Sequence, residues 1–369
     1  MIPGSPLLRA PLSRSLNSRP LLFRADTSVA IGTGHVMRCL ALAQAWQDAG
    51  GRTVFAMAEA TPAVGERLQR EGMEMLRLKA EPGSVDDAQE TIALAQAEHA
   101  SWVVVDGYRF GADYQMALTG AGLKVLFIDD NGHAGLYAAD IVLNQNIHAR
   151  ESFYNDREKS TRLLLGTKYA LLRREFFSAK DAREIPPVAR KVLVSLGGSD
   201  PDNVTRRVVE ALEQVAVAEL QVVVVAGGSN PHGAAIAELI ANSRHSCRIL
   251  SNVANMQELM SWADLAISAA GTTCWECCAV GLPAILVVVA DNQILNAEAL
   301  RAAGAVRVIL GGSQFAVGEM AQLVTSLANS PSERQTLSQT ASALVDRGGT
   351  RRVLSILMGD DSSETEEGP

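Results

Sequence analysis

Short apolar runs alternate with helical segments along most of this chain, and this alternation limits the possible folds more than any other feature. The runs of the first half are a few residues long and rich in Val, Leu, Ile and Phe; they are 21–24, 53–58, 102–106, 124–129 and 141–144. Helices are predicted among them at 34–48 and 85–97. Apolar strands that alternate with helices are typical of a parallel sheet covered on both faces. We therefore predict a doubly wound α/β domain in this half.

A second series of the same kind begins at Lys191. Its predicted strands are 191–196, 221–226, 248–250, 265–268 and 284–289, and its predicted helices are 203–214, 256–261, 273–280 and 293–303. A polar stretch with the Pro186-Pro187 pair separates the two series, as expected of a linker. The predicted fold is α/β, with two Rossmann-like doubly wound domains that face a cleft. The predicted boundaries are a disordered leader over 1–20, an N-terminal domain over 21–180, a C-terminal domain over 187–355 and an acidic tail over 356–369.

The charge of the chain limits its partners. Asp and Glu number 41 against 33 Lys and Arg, which gives a net charge of -8. Because phosphate backbones are bound by clustered Lys and Arg, this balance argues against a broad nucleic-acid surface. An anionic ligand must then be held in a local pocket by backbone N–H groups.

Two segments could suggest a membrane or a targeting signal. The stretch 263–290 is among the most hydrophobic, but Asp264, Glu276 and Pro283 interrupt it, so we predict no membrane span. The first twenty residues contain four prolines and three arginines but no sustained apolar run, so they lack the core of a signal peptide. We expect a cytoplasmic protein.

Two residue sets raise the question of a metal. Cys274 and Cys277 have a C-x-x-C spacing, but a second such pair or a nearby His pair is missing, so small apolar side chains on a buried helix are the preferred interpretation. Asp129 and Asp130 could bind a divalent cation, but the following Asn131-Gly132 turn favours loop capping. We predict no metal site. The odd number of cysteines, five, also argues against a disulfide framework.

The loop after the first strand carries the strongest catalytic signal. Gly32 and Gly34 allow the backbone to approach a ligand, and His35 follows in the first turn of a helix. The positive end of the helix dipole favours a neutral imidazole, the form that a general base needs. A dinucleotide fingerprint is not matched, because Met37 stands where its third glycine belongs and Glu59 alone is weak evidence for a ribose contact.

Other polar residues end strands of the first domain. Arg24 and Asp26 are predicted either to pair with each other or to hold a polar substrate group, and the two interpretations have equal weight. Asp106 ends the third strand, where it either caps the next element or faces the ligand. Tyr108 can donate a hydrogen bond into the cleft.

Three glycine-rich loops end strands of the second domain. They are 195–201, 226–229 and 268–273. Backbone N–H groups and the hydroxyls of Thr272 and Thr273 can hold a diphosphate without a basic residue, although each loop alone is better explained as a tight turn. Three such loops in one domain favour phosphate binding. None has the spacing of a P-loop, so a P-loop NTPase is disfavoured.

Polar side chains also occur in the helices that follow these loops. Glu276 lies in an otherwise apolar helix, where a carboxylate requires an ion-pair partner or a ligand such as a ribose diol. Asn292, Gln293 and Asn296 follow the next predicted strand. They suit the hydroxyls and amides of a sugar, or they cap the helix that begins there.

These motifs occur in an order that resembles a known family, the UDP-2,4-diacetamido-2,4,6-trideoxy-β-L-altropyranose hydrolases of pseudaminic acid biosynthesis. The matching runs extend from about residue 23 to residue 296; they are Phe23-Arg24-Ala25-Asp26, Ile31 to Leu40, Val105-Asp106, Ile128-Asp129-Asp130, Leu143-Asn144-Gln145-Asn146, Ser195 to Asp200, Gly271-Thr272-Thr273 with Glu276, and Asn292-Gln293. The resemblance implies a GT-B-like fold, in which UDP binds the second Rossmann-like domain. It also implies an inverting, metal-independent hydrolase that releases UDP from a UDP-sugar without a cofactor or an obligatory protein partner.

The resemblance and the loops together assign candidate residues to three roles. The catalytic base is His35, which activates water against the anomeric carbon. The substrate-binding candidates are Arg24, Asp26, Gly32, Gly34, Arg38, Asp106, Tyr108, Asn292, Gln293 and Asn296. The UDP-binding candidates are Gly198, Ser199, Met256, Gly271, Thr272, Thr273 and Glu276, with the backbone near Met256 at the uracil and Glu276 at the ribose.

Three other functions fit parts of this pattern. A glycosyltransferase of the same architecture, such as a spore-coat polysaccharide type, would replace water by an acceptor hydroxyl. A membrane-associated transferase is expected to show a basic, apolar patch on its first domain, and beyond the leader the sequence shows none. A non-catalytic UDP-sugar binder would have no need for His35. An epimerase would need more acidic cleft residues than the sequence provides.

Overall fold

The structure is a computed structural model that describes residues 20–178 and 183–360. The predicted leader, apart from residue 20, lies outside the described residues. So do residues 179–182 of the predicted linker and residues 361–369 of the predicted acidic tail. No helix within the described ranges is long and apolar enough to cross a membrane.

The first domain is built on a seven-stranded parallel sheet with the order β3-β2-β1-β4-β5-β6-β7. Its strands are β1 (Leu21–Ala25), β2 (Thr53–Met57), β3 (Glu74–Arg77), β4 (Trp102–Asp106), β5 (Val125–Ile128), β6 (Ile141–Asn144) and β7 (Arg162–Leu165). Its helices are α1 (Gly34–Asp48), α2 (Pro62–Arg70), α3 (Val85–Ala97) and α4 (Ala112–Gly120), and 3-10 turns follow at Glu151–Tyr154, Thr167–Tyr169 and Arg174–Ser178. The predicted doubly wound architecture is confirmed.

Alternation along the strands produces a hydrophobic core on each face of this sheet. Phe23 pairs in register with Phe55 and Val104, and these side chains pack on the face covered by α1. Leu22 and Val103 point to the opposite face, where they pack with residues of α3 and α4. Successive side chains point to opposite faces, and because both faces are covered, nearly every residue of a strand is apolar instead of every second one.

The second domain repeats this plan with a six-stranded parallel sheet of order β10-β9-β8-β11-β12-β13. Its strands are β8 (Lys191–Ser195), β9 (Gln221–Ala226), β10 (Ser246–Ser251), β11 (Leu265–Ala269), β12 (Ala284–Val287) and β13 (Arg307–Ile309). Its helices are α5 (Val204–Leu212), α6 (Gly233–Ala241), α7 (Met256–Trp262), α8 (Thr273–Ala279), α9 (Ile294–Ala302), α10 (Val317–Asn329) and α11 (Pro331–Leu344), with 3-10 turns at Asp291–Gln293 and Gly312–Gln314. Its core also lies on both faces of the sheet.

The last helix, α12 (Gly349–Met358), returns to the first domain. Val353 and Leu357 are buried in the same core as α1, and the indole N–H of Trp102 donates a hydrogen bond of 2.9 Å to the carbonyl of Leu357. The structure therefore differs from the predicted boundary at residue 355. Residues 356–358, predicted as acidic tail, form the last turn of this helix because their apolar side chains pack on the first domain.

Candidate active site

A cavity of about 430 Å³ lies between the two domains. Residues 30–35 line it from the first domain, and residues 195–202 and 269–273 line it from the second. These segments follow β1, β8 and β11, so both sheets present the carboxyl ends of central strands to the same space. This is the position at which open α/β sheets bind ligands.

His35 lies in the first turn of α1, and its ring lines the cavity. Gly32 has φ of +78°, a left-handed conformation that glycine adopts at little cost and that turns the loop toward α1. The Nδ1 atom of His35 lies 2.7 Å from Oδ1 of Asp106. Because a carboxylate only accepts, this contact places a proton on Nδ1, and the neutral form of His35 then has its lone pair on Nε2. Within the described chain the hydrogen-bonding contacts of the ring all involve Nδ1, so Nε2 is available to a ligand.

Asp106 is fully buried and anchors this histidine without reaching the cavity. Arg38 donates from Nε to Oδ2 at 2.6 Å and from Nη2 to Oδ1 at 2.7 Å. Burial is the largest single influence and would raise the pKa of Asp106, but the charge and hydrogen bonds of Arg38, together with the contact to His35, hold this pKa well below the usual range. The sequence hypothesis placed Asp106 and Arg38 on the substrate. The structure instead pairs Asp106 with His35 and Arg38 behind the cavity wall. Arg38 does line the cavity, but its guanidinium is held by the carboxylates of Asp106 and Asp130.

Tyr108 joins the two domains at the cavity wall. Its hydroxyl donates to Oδ2 of Asp130 at 2.8 Å and accepts from Nδ2 of Asn292 at 2.8 Å. Burial, followed by the charge of Asp130, raises the pKa of Tyr108 above its usual value, so the phenol stays protonated. Its ring meets that of His35 edge-on, with centroids 5.0 Å apart. The structure therefore brings the predicted pair Tyr108 and Asn292 together beside His35.

The glycine-rich loop after β8 lies against the loop before α1. A Cβ placed on Gly198 would collide with the side chain of Thr33, so only glycine allows this approach. Ser199 is buried and lines the cavity. The next residue, Asp200, accepts from the N–H groups of Val204 and Thr205 at 2.8 and 2.9 Å, which fixes the loop to the start of α5.

The loop before α8 faces the loop before α1 across the cavity. A Cβ placed on Gly34 would lie 3.7 Å from Oγ1 of Thr272. Gly271, Thr272 and Thr273 all line the cavity. The N–H groups of Cys274 and Trp275 donate to the carbonyls of Gly271 and Thr272 at 3.0 and 3.2 Å. Within the described chain the N–H groups of residues 271–273 have no acceptor, so this loop offers free donors and two hydroxyls beside the cavity.

Glu276 lines the cavity one turn into α8 and has a cationic partner that the sequence hypothesis did not name. Arg173 donates to Oε1 of Glu276 from Nε at 3.0 Å and from Nη2 at 2.7 Å. Burial raises the pKa of Glu276 despite the opposing charge of Arg173. The contacts use one carboxylate oxygen, so the ion pair does not exclude a ligand at Oε2. The sequence did indicate that Glu276 should pair with a cation or face a ligand, because a buried carboxylate requires one or the other, but it did not identify Arg173.

Residues at the start of α7 form another part of the cavity wall. Met256 and Asn252 line it, and so does Arg67 of α2 in the first domain. Arg67 donates from Nη1 to the carbonyl of Ala254 at 2.8 Å. Sequence analysis missed Arg67 because α2 itself was not predicted. Its Thr61-Pro62 start, with proline in the first turn, is the signal that could have identified the helix.

Arg24 and Asp26 take the ion-pair interpretation rather than the substrate one. Arg24 is fully buried; its Nη1 lies 2.7 Å from Asp26, and its Nε and Nη2 each donate at 2.9 Å to the buried carboxylate of Asp87. Asp26 accepts from the N–H groups of Ala58 and Glu59 at 2.8 and 2.9 Å. Neither residue lines the cavity, so we correct their predicted role to bracing the ends of β1 and β2.

Gln293 and Asn296 lie at the start of α9 but in different surroundings. Gln293 lines the cavity while its Oε1 accepts from the N–H of Val289 at 3.1 Å. Asn296 is buried behind the cavity wall, where Nδ2 donates to the carbonyl of Ala270 at 3.3 Å. The predicted substrate contact of Asn296 is therefore corrected to support of the loop before α8.

The cysteines and the acidic pair do not assemble into a metal centre in the described part of the chain. There, no group of three or more His, Cys, Asp or Glu side chains has a metal-binding arrangement. Cys274 and Cys277 are buried free thiols, and burial raises the pKa of both. Asp129 accepts from the N–H groups of Asn131 and Gly132 at 2.7 and 3.0 Å, as its capping interpretation predicts.

Comparison with known proteins begins with the second domain. Residues 192–348 match the family described as Glycosyltransferase family 28 C-terminal domain. An uncharacterized protein of Methanocaldococcus jannaschii is 26% identical over 276 residues, which are 73% of this chain but 55% of that protein. The chain therefore spans about half the length of this relative.

Two relatives have descriptive names. The spore coat polysaccharide biosynthesis protein SpsG of Bacillus subtilis is 26% identical over 63% of this chain and 68% of its own length. The UDP-2,4-diacetamido-2,4,6-trideoxy-β-L-altropyranose hydrolase of Campylobacter jejuni is 25% identical over 68% of this chain and 85% of its own length. Both relatives are therefore similar to this chain at about a quarter of the aligned positions, over about two thirds of its length.

A solved structure extends the comparison to both domains. The crystal structure of Acinetobacter baumannii MurG superposes with a TM-score of 0.62 and covers 92% of this chain and 99% of its own, at 17% identity. The two parallel-sheet α/β domains thus have the GT-B arrangement, which confirms the predicted fold.

Proposed function

We propose that this protein hydrolyses a UDP-linked 2,4-diacetamido-2,4,6-trideoxyhexose at its anomeric carbon, with inversion, in pseudaminic or related nonulosonic acid biosynthesis. One observation carries the proposal. His35 lines the cavity between the two domains, and its Nδ1 lies 2.7 Å from the buried carboxylate of Asp106, so the neutral ring has its lone pair on Nε2. A histidine in this state is a general base for a small nucleophile.

The reaction follows from this orientation. Water gives a proton to Nε2 of His35 while its oxygen forms a bond to the anomeric carbon. The bond from that carbon to the β-phosphate oxygen breaks, and its electron pair leaves with UDP. Asp106 remains ionised and stabilises the imidazolium that forms, because Arg38 keeps the pKa of this carboxyl low. Attack from the side opposite to UDP inverts the anomeric configuration.

The second domain is proposed to hold UDP. The N–H groups and hydroxyls of Thr272 and Thr273 suit the diphosphate, since aligned backbone donors stabilise an anion without a basic residue. Glu276 retains an oxygen for a ribose hydroxyl while Arg173 neutralises the other. The backbone near Met256 is proposed to contact uracil.

The sugar is proposed to lie between His35 and the loop after β12. Tyr108, Asn292 and Gln293 line this part of the cavity. Two acetamido groups present both N–H donors and carbonyl acceptors, and amide side chains match both kinds. This chemistry is compatible with a diacetamido sugar, whose identity the experiment below tests.

The experiment is incubation of the purified protein with UDP-2,4-diacetamido-2,4,6-trideoxyhexoses, without an acceptor, while UDP and free sugar are followed by NMR. We expect both products in equal amounts. His35→Ala should lower kcat by about 10²–10⁴-fold. The matched control is His99→Asn, because His99 is exposed and has a positive φ that Asn tolerates. Undiminished turnover by His35→Ala would remove the mechanism.

A glycosyltransferase is the second candidate, and the matches at residues 192–348 and to SpsG favour it. The same base would then deprotonate a hydroxyl of a sugar or lipid acceptor. Release of UDP that depends on an added acceptor would establish this activity instead of hydrolysis.

A further inference from the structure

The segment that ends β6 contains buried amides that the proposed reaction does not use. Asn144 is fully buried, and its Nδ2 donates to the backbone carbonyl of Asp130 at 2.9 Å. Its Oδ1 accepts from the N–H of Asn146 at 3.0 Å. Asn146 in turn donates from Nδ2 to Oδ1 of Asp130 at 2.8 Å. This segment therefore fixes both the backbone and the carboxylate of Asp130.

The carboxylate fixed in this way is shared between two residues of the site. Its Oδ1 accepts from Nη1 of Arg38 at 2.7 Å, and its Oδ2 accepts from the Tyr108 hydroxyl at 2.8 Å. Arg38 uses its remaining nitrogens on Asp106, which accepts from His35. Asp130 therefore connects Tyr108, through Arg38, to the hydrogen-bonded pair of Asp106 and His35.

The same set of contacts continues into the second domain. Asn292, in the turn after β12, donates from Nδ2 to the Tyr108 oxygen at 2.8 Å. A series of direct contacts therefore runs from Asn292 through Tyr108, Asp130 and Arg38 to Asp106, which orients His35. Hydrogen-bonded side chains of this kind polarise and position one another. Asp130, Arg38 and Asp106 are buried, whereas Tyr108 and Asn292 are exposed at the junction of the two domains.

The charge state of Asp130 is suited to this position. Burial is the largest single influence and would raise its pKa, but the charge and the hydrogen bond of Arg38, with a smaller contribution from His35, together lower this pKa below its usual value. The group is therefore a carboxylate at neutral pH and accepts from Arg38, Asn146 and Tyr108 at once. A neutral amide at this position would offer one acceptor oxygen and no charge for Arg38.

We propose that Asp130 is a positioning residue through which Asn292 of the second domain orients His35. Contact between the domains at Asn292 holds the Tyr108 hydroxyl on Asp130, and Asp130 holds Arg38 against Asp106. The role assigned to the oriented His35 rests on the proposed function, but the positioning itself does not. The base is then best ordered when the second domain, which is proposed to hold UDP, is closed on the first.

The direct test is nitrogen-15 NMR of histidine-labelled, ligand-free protein, with the His35 signal assigned by its loss in His35→Ala. In the wild type we expect the tautomer protonated at Nδ1. Asp130→Asn and Asn292→Ala should both shift the His35 ring nitrogens or mix the tautomers, and Tyr108→Phe provides a second route if Asp130→Asn does not fold. A His35 signal unchanged in folded Asn292→Ala and Tyr108→Phe overturns the proposal.

Asp129→Asn is the matched control. This neighbouring carboxylate caps the turn at Asn131 and Gly132, and among the described residues Arg38 donates to Asp106 and Asp130 but not to Asp129. It should lower stability without moving the His35 signal. An equal shift in Asp129→Asn would assign the effect to general loop distortion and overturn the proposal.

Kinetics separate this inference from the proposed function. In an active enzyme, Asp130→Asn should lower kcat by about tenfold or more, while calorimetry should give an unchanged Kd for UDP. A wild type that releases no UDP but shows the coupled NMR shifts would contradict hydrolysis and support the positioning role. Normal turnover of the wild type, with His35 signals that do not move in the variants, would support hydrolysis and contradict the positioning role.

Discussion

Asp106 is the residue on which the chemistry of His35 depends, although no solvent or ligand reaches it. It is fully buried, and it accepts from both His35 and Arg38. A buried carboxylate with these partners fixes which nitrogen of the histidine carries the proton. The first domain therefore orients the base from behind the cavity wall.

The depressed pKa of Asp106 predicts a pH-dependent effect of Asp106→Asn on stability. Because the folded pKa lies below that of the unfolded chain, the carboxylate stabilises the fold above about pH 4, and this contribution is lost as pH falls toward the folded pKa. Breaking such a buried pair costs roughly 3–5 kcal/mol at neutral pH. Urea unfolding should show this gap at neutral pH and a smaller one in acid. A gap that is constant across this range would contradict the assigned ionisation.

The single residues that sequence reasoning placed well are those whose role is local. His35 and the glycines of its loop follow directly from a strand-to-helix turn. The role of Arg173 could not be read from its local sequence, because Arg173 lies 103 positions from Glu276 and contacts it only through the packing of the two domains. Arg24 was ambiguous for the same reason, since its second partner, Asp87, comes from α3.

Helix α12 is the element that ties the end of the chain to the first domain. Thr350 accepts at Oγ1 from the N–H of Leu172 at 2.8 Å and donates to its carbonyl at 3.0 Å. Gly349 lies so close to Ala170 that a Cβ would collide with backbone atoms there. The helix can approach the segment before the linker only because position 349 lacks a side chain.

We therefore expect Gly349→Ala to lower the free energy of unfolding by about 2 kcal/mol, because backbone cannot move aside as a flexible side chain does. Gly318→Ala is the control. Gly318 lies in α10 with nothing within 4 Å of its Cβ position, so alanine should raise stability by up to about 1 kcal/mol. Denaturant unfolding of both variants makes the comparison, and equal effects would contradict the proposed close contact.

The central strands of both sheets were predicted from the sequence, whereas of the edge strands only β10 was predicted, in part, as 248–250, and β3, β7 and β13 were missed. The runs at β1, β4 and β8 are buried on both faces and therefore continuous in hydrophobicity. β3 ends the first sheet with most of its side chains exposed, and β13 ends the second with two of three half-buried. An edge strand needs no apolar run, so hydrophobic patterning misses it.

At the scale of the whole molecule, two domains share one cavity and each supplies a different function to the proposed reaction. The first contributes the base, and the second contributes loops with free backbone donors and two threonine hydroxyls. Arg173 with Glu276 and Tyr108 with Asn292 link the domains on either side of that space. The acidic net charge of the chain is compatible with an anionic substrate because the proposed diphosphate contacts are backbone groups.

This division predicts that divalent cations are dispensable. If loop N–H groups and hydroxyls stabilise the leaving UDP, turnover after treatment with EDTA should equal that of untreated enzyme. The measurement is the initial rate of UDP release with EDTA and with added Mg²⁺. Activity lost in EDTA and restored by Mg²⁺ would contradict the proposed leaving-group stabilisation.

The central claim is that water activated by His35 attacks the anomeric carbon. Its most direct test is turnover of a UDP-2,4-diacetamido-2,4,6-trideoxyhexose in ¹⁸O-labelled water, without an acceptor, with the products read by ³¹P NMR and mass spectrometry. The account predicts UDP that carries no ¹⁸O, because the carbon–oxygen bond breaks, and release that is about 10²–10⁴-fold slower in His35→Ala. Incorporation of ¹⁸O into the β-phosphate of UDP, or release only when an acceptor is supplied, would contradict it.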